Sequence, residues 1–286
     1  MPVIGRDEVL LVAEELDLAP ANVQRDYVFG WLLAGIFAES RLGDSLALKG
    51  GNALRKGYFA ETRFSDDLDF TTAGAVRDDL LVEQLNEVCR FVEARTGIAF
   101  DLDRNRLVDV QTIDRAKRAY KVRLYFKDFV SWSDHITLKV RVDVTEHDRI
   151  YLPLQDRQLI HPYSDAPVCN ATIRCIKLEE ALADKLKCLL QRRHCFDLFD
   201  LVYGLFIARE IEVERSEIGS VFLRKTIFSA SPPAAKRLLA GVPFEALRSF
   251  WDKLVAPLRT RFSFDRATEL LLGGLDALFS PFGSDE

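Results

Sequence analysis

The sequence predicts an α+β chain, with a mixed or antiparallel sheet in residues 1–160 and an all-helical part over residues 161–286. Three observations predict it. Short stretches between residues 45 and 144 alternate polar and apolar side chains, as strands with one wet and one buried face do. From Lys177 onward apolar residues recur at helical spacing instead, at Leu178, Leu182, Leu186 and Leu189, then at Leu198, Leu201, Val202 and Leu205. Pro162 and Pro167 mark a linker between the two patterns.

The elements follow in order. Residues 7–16 carry Val9, Leu10, Val12, Ala13 and Leu16 at helical spacing. Pro20 interrupts, and Asn22 can cap a second, broadly apolar helix that reaches about Ser40. Residues 45–48 form a short strand that runs into Lys49-Gly50-Gly51, and residues 52–56 begin a helix. Asp67-Leu68-Asp69-Phe70 alternates as a strand. Residues 76–96 form an amphipathic helix that stops at Gly97. Residues 98–103, 120–126 and 135–144 alternate again. The tight turns between them argue against a doubly wound sheet. Helices then continue to near Phe279, punctuated at Pro232-Pro233, Pro243 and Pro257.

The composition is that of a soluble globular protein: 286 residues, 48% hydrophobic and 29% charged. A net charge of -5 speaks against a protein that coats nucleic acid, so any such contact uses local patches. One candidate patch holds Arg104, Arg106, Arg115, Lys117, Arg118, Lys121 and Arg123; another holds Lys185, Lys187, Arg192 and Arg193. Either can equally be a solvated face. Five cysteines without a CxxC suggest neither a disulfide framework nor a zinc ribbon, and Cys188, His194 and Cys195 read as packing. The early residues lack the basic region of a signal peptide. The longest apolar stretch, residues 27–37, is far short of the roughly 20 residues a membrane span needs. A cytoplasmic protein without membrane contact is expected.

Three constellations carry chemistry. In the first, Gly50 and Gly51 between a strand and a helix let the backbone approach a ligand closely, and a helix start offers unpaired N–H groups to phosphate. Asp67 and Asp69, two apart on a strand, point to one side and can together hold Mg²⁺, which prefers hard oxygen ligands. In the second, Asp143 lies mid-strand between Val142 and Val144 and can complete a three-carboxylate metal site. Its ordinary alternative is a wet strand face with Arg141 paired to Asp143. In the third, Lys185 and Arg192 lie near one helix face, where a cation can grip a triphosphate. Asp197 and Asp200, three apart, share a face of the next helix. An ion-paired helical hairpin explains the same spacing.

These motifs resemble the AbiEii/AbiGii family of toxin nucleotidyltransferases, including the MenT toxins, within the DNA polymerase β-like superfamily. The resemblance lies in Lys49-Gly50-Gly51-x-x-Leu54-Arg55, in Arg63-x-Ser65-x-Asp67-x-Asp69, and in Asp184-Lys185-Leu186 … Arg192 … Asp197-x-x-Asp200-Leu201, so it spans about residues 45–205. It implies a polymerase β-type palm followed by a helical domain that contributes Lys185 and Asp200. By resemblance Asp67, Asp69, Lys185 and Asp200 are catalytic, and Asp67 and Asp69 bind Mg²⁺. Lys49, Gly50, Gly51, Arg63, Ser65, Arg192 and Asp197 surround the NTP. The family further implies transfer of a nucleoside monophosphate onto RNA, often a tRNA 3′ end, with a block of translation. It also implies a cognate antitoxin, often a winged-helix repressor. Asn52 stands where the family commonly has a small hydroxyl residue, and Phe196 where it usually has arginine. Protein nucleotidylation, a metal-dependent glycosyltransferase and a silent binding module are the alternatives. A glycosyltransferase explains neither Gly50-Gly51 nor the third constellation. A silent module leaves two repelling carboxylates unexplained.

Overall fold

The computed structural model describes residues 4–113, 117–131 and 135–282. Arg115 of the first basic patch lies outside them. The chain divides into two compact units. Unit 1 comprises Met1–Asp148, Leu154–Cys175 and Val255–Arg259; unit 2 comprises Arg149–Pro153, Ile176–Leu254 and Thr260–Glu286.

Unit 1 opens with two helices, α1 (Arg6–Leu16) and α2 (Pro20–Ala34). Proline fits the first turn of a helix, where its missing N–H is not needed, so Pro20 starts α2 and does not break the chain. Asn22 is therefore inside the helix, where its Oδ1 accepts from Arg25 Nη1 at 3.1 Å, and is no cap. Tyr27, Phe29, Trp31, Leu32 and Leu33 are all buried, as a core helix requires. A wider π-type turn, Gly35–Glu39, extends it.

Among the described residues seven strands form one mixed sheet: β1 (Leu46–Lys49), β2 (Asp67–Thr72), β3 (Arg106–Thr112), β4 (Arg118–Lys127), β5 (Thr137–Glu146), β6 (Gln155–Gln158) and β7 (Thr172–Cys175). Their order is β3-β4-β5-β2-β1-β7-β6. The β2–β5 and β1–β7 pairs are parallel and the others antiparallel. Between β1 and β2 the chain forms α3 (Gly50–Ala53), continued by a π-type turn to Tyr58. Helix α4 (Asp78–Thr96) stops at Gly97, whose left-handed φ of 74° closes the last turn, as glycine does most easily.

One face of the sheet is apolar. Leu68 and Phe70 of β2, Val122, Leu124 and Phe126 of β4, and Val140, Val142 and Val144 of β5 are buried there. Helix α2 packs on β5 and β7, and α4 on β3. The alternate residues, including Asp67, Asp69, Lys121, Arg123, Arg141 and Asp143, remain partly exposed on the other face.

The expected strand over 98–103 does not form. Only Phe100 bridges to Phe126, with Ala99 and Asp101 bonded to Lys127 and Tyr125 on either side, because the chain turns away at 101–105. The strand beside β4 is β3, in what reads from the sequence as a basic patch. Residues 161–175, on the helical side of the expected boundary, lie in unit 1, because β7 pairs with β1 and β6.

Unit 2 holds α5 (Leu178–Gln191), α6 (Cys195–Val202), α7 (Arg215–Arg224), α8 (Pro232–Ala240), α9 (Glu245–Arg248) and α10 (Phe264–Phe279). α5 packs on α6, α7 and α8, and α10 packs on α6, α7 and α8. Phe199 stacks on Phe262 at 4.8 Å, and Trp251 meets Phe262 and Phe264 edge-on. Buried Glu180 accepts the N–H groups of Tyr151 and Leu152 at 3.0 and 2.9 Å, which holds Arg149–Pro153 to this unit.

Candidate active site

The site begins where β1 runs into α3. Gly50 has a left-handed φ of 71°, and a Cβ there would overlap Asp69 Oδ2. A Cβ on Gly51 would come within 2.6 Å of Ser65 Oγ and 3.0 Å of Arg63 Nη2. Both glycines are thus demanded by close approach, and they bring Asp69, Arg63 and Ser65 against the backbone of one turn. Asn52 is fully buried, and its amide donates to the Asp67 carbonyl at 2.6 Å. This bond ties the turn to the first residue of β2.

A buried charge network supports the same turn from below. Arg55 is bidentate on Asp26, at 2.6 and 3.3 Å, and donates to the carbonyls of Ala60 and Thr62. Its guanidinium lies 3.6 Å over the Phe64 ring. Lys56 adds a second cation at 2.8 Å. Burial opposes the Asp26 charge, but Arg55 and Lys56 hold its carboxyl well below the usual range. Residues 60–64, which lead into Ser65 and Asp67, are held by this network, and Phe64 N–H also donates to Val255 at 2.7 Å.

β2 and β5 then present the carboxylates. In their parallel ladder Asp69 is the partner of Asp143, and Asp67 of Arg141. Lys49 is the partner of Asp69 on the other side. Asp143 accepts from Arg123 Nη1 at 3.1 Å, and Asp67 faces Arg141 Nη2 at 3.8 Å and Ser65 Oγ at 3.3 Å. The expected alternative pair of Arg141 with Asp143 is not what forms: each reaches across to another strand. Asp67 and Asp143 side chains are 34% and 33% exposed, so both remain open to a ligand. Two like-charge pairs thus stand side by side, Asp69 with Asp143 and Arg123 with Arg141. Like charges directly opposite are destabilising in a sheet, and here Lys49, Lys121 and Asp67 flank the two pairs and offset part of that repulsion.

Among the described residues no three His, Cys, Asp or Glu side chains converge on one point as a formed metal cage. Arg123 and Arg141 draw Asp143 and Asp67 aside. The donors themselves, carboxylates on one face of adjacent strands, suit a hard divalent cation. Lys49 is held by Asp148 and Thr145, with Lys117 on the second Asp148 oxygen. Burial opposes the Asp148 charge, but the two ammoniums keep its carboxyl below the usual range.

In unit 2 the third constellation is an ion cluster with Lys185, Asp197 and Asp200 buried and Arg192 exposed at its rim. Lys185, 5% exposed, pairs with Asp197 at 3.2 Å and Asp200 at 2.7 Å. Arg192 closes bidentately on Asp197, both contacts at 2.7 Å. Burial raises the Asp197 carboxyl, but Arg192 and Lys185 overcome it and leave it below the usual range. α5 and α6 are short helices joined by a turn in which Arg193 takes φ 52°, and this brings the four residues together. Cys195 Sγ donates to the Phe250 carbonyl at 3.4 Å.

The family of nucleotidyl transferase AbiEii toxins of type IV toxin–antitoxin systems matches this sequence over residues 31–266. The chain belongs to that family. It is accordingly a nucleotidyltransferase toxin, with an NTP as substrate and an antitoxin as partner. No curated protein matches it significantly. Its fold is similar to that of MenT4, nucleotidyltransferase toxin Rv2826c from Mycobacterium tuberculosis H37Rv, with a TM-score of 0.53 and 21% identity. The likeness covers 78% of this chain and 71% of that one, and at this identity it speaks for the fold. Among the described residues no helix of this AbiEii protein is long and apolar enough to cross a membrane.

Proposed function

We propose that the toxin transfers a nucleoside monophosphate from an NTP to the 3′ end of an RNA, a tRNA above all, and so blocks translation. The observation that carries this is the in-register pair of Asp69 and Asp143 beside Gly50-Gly51. Asp67, Asp69 and Asp143 would hold Mg²⁺, which when bound neutralises phosphate charge and makes an attacking hydroxyl a better nucleophile. Gly50 and Gly51, without side chains, let phosphate oxygens reach the backbone. Ser65 and Asn52 hold Asp67, the one by its carboxylate and the other by its carbonyl. Arg123, relieved of its carboxylate, would turn to phosphate oxygens of the NTP. Arg63 fixes the turn beneath Gly51. Lys49 would reach phosphate by exchanging Asp148 for it.

Lys185, Arg192, Asp197 and Asp200 are proposed to support activity from unit 2, on the strength of the sequence resemblance. A winged-helix repressor is the proposed antitoxin.

The test supplies each of four α-³²P-NTPs to the toxin with total bacterial RNA and protein, beside Asp67→Ala. Label in a tRNA-sized band, lost in the variant, supports the proposal and names the nucleotide. Label in protein keeps the metal site and overturns the acceptor. Full activity of Asp67→Ala overturns the site.

A further inference from the structure

The carboxylates sit at one end of a cationic track. On β5 the residues facing the same side as Asp143 are Arg141 and then Lys139, one step of about 7 Å each along the strand. On β4 their partners are Lys121, Arg123 and Tyr125, opposite Asp143, Arg141 and Lys139 respectively. Row by row the ladder reads Asp69, Asp143 and Lys121, then Asp67 with the two arginines, then a lysine beside a tyrosine, so along β5 a carboxylate gives way to cations. Arg25 of α2 joins from the side, and a pocket is lined by Arg25, Asp66, Lys139 and Arg141. Three cations there face one carboxylate, in a chain whose net charge is -5. Asp66 holds Arg25 and Arg141 only loosely, at 3.8 and 3.5 Å. Past the pocket, the Arg104 guanidinium lies 4.3 Å from the Tyr125 ring centre, with that of Arg106 at 5.8 Å.

We propose that this track binds the single-stranded 3′ end of a nucleic-acid acceptor: Arg25, Lys139 and Arg141 take a backbone phosphate just behind the reacting terminus, and Tyr125 with Arg104 takes a base. The chemistry matches at each step. Guanidinium and ammonium groups neutralise phosphates without regard to sequence. Exposed rings and guanidinium planes stack unpaired bases. The change from anionic to cationic residues along one strand separates a place for a cation from a place for a polyanion. A folded protein acceptor would have no use for a phosphate pocket and a stacking group in succession. This placement rests on the RNA-acceptor proposal above and says where that acceptor lies.

The test uses the full chain and an RNA hairpin with a short single-stranded 3′ tail. Transfer kinetics and, separately, binding of the hairpin by fluorescence anisotropy across a salt series are measured for wild type, Lys139→Ala, Lys139→Arg, Arg25→Ala and Tyr125→Ala. The expected result is a rise of roughly three- to tenfold in KM for RNA in each alanine variant at a cationic position, and about tenfold for Tyr125→Ala. The KM for NTP and kcat stay near wild type, and Lys139→Arg is restored. The slope of log affinity against log salt falls by about 0.7 for each lost cation. If wild type labels RNA but the alanine variants keep its RNA KM and salt slope, the track is overturned and the RNA-acceptor proposal stands. A rise confined to the KM for NTP overturns the track by giving the pocket to the nucleotide. A wild type that labels protein and does not bind the hairpin overturns both.

Discussion

The β2–β5 face and the α5–α6 hairpin use the same residue types in opposite ways. On the sheet, Asp67 and Asp143 are a third exposed, their cations stand at 3.1–3.8 Å, and like charges neighbour each other. In the hairpin, Lys185, Asp197 and Asp200 are buried and every charge meets an opposite one. The first arrangement is poor for stability and open to a ligand. The second is buried but for its rim and stabilises its own unit only while complete. An acidic motif in a sequence does not distinguish the two; exposure and the sign of the neighbours do.

The largest expected difference is in activity. Asp69→Asn should cut nucleotide transfer by at least roughly 10²–10³-fold, while its thermal midpoint changes little, because a partly exposed carboxylate contributes little to stability. A clear fall in midpoint would erase the contrast. Next comes stability: Lys185→Met leaves Asp197 and Asp200 buried with one cation fewer, at a cost of about 3–5 kcal/mol in urea unfolding. A loss under about 1 kcal/mol would mean that water already reaches the cluster. Smaller again is Gly50→Ala. Its left-handed backbone costs about 1–2 kcal/mol, and displacement of Asp69 should lower transfer roughly 10–100-fold; unchanged transfer would remove the turn from the site.

The smallest effect is on pH dependence. The Asp197 carboxyl is depressed in the folded state, so its contribution is complete above the unfolded carboxylate value, about 3.9. It is lost as pH falls through the lower folded value. Asp197→Asn should flatten the acid limb of a stability curve in that window. An acid limb identical to that of wild type would break the comparison from the other side.

Much of this was legible in the sequence. The alternation of Asp67-Leu68-Asp69-Phe70 sorts two carboxylates to one side because a strand has a period of two. Gly50 and the stop at Gly97 follow from backbone freedom, and Gly51 from close approach to Ser65 and Arg63. What escaped depends on contacts between distant residues. β3 is an exposed edge with Arg106 and Gln111 on it, so its hydrophobic pattern is faint. β6 and β7 are four residues each, on either side of two prolines. The Asp26–Arg55 link joins a helix to a turn 29 residues away. Asn52 reads as a departure from the family and acts as the brace of Asp67. The Arg25, Lys139 and Arg141 pocket draws on residues no local window contains.

Val255–Arg259 returns from the helical unit to the first one, where Val255 accepts from Phe64 N–H and Arg259 pairs with Glu61. A gene shortened from its 3′ end to before codon 255 therefore loses the contact that holds the segment leading into Asp67. A premature stop anywhere before codon 255 removes this clasp as well as the helices after it. For a gene whose product is toxic to its host, late nonsense and frameshift mutations become a broad route to disarmament, and survivors selected without the antitoxin should carry them far downstream of the acidic motif.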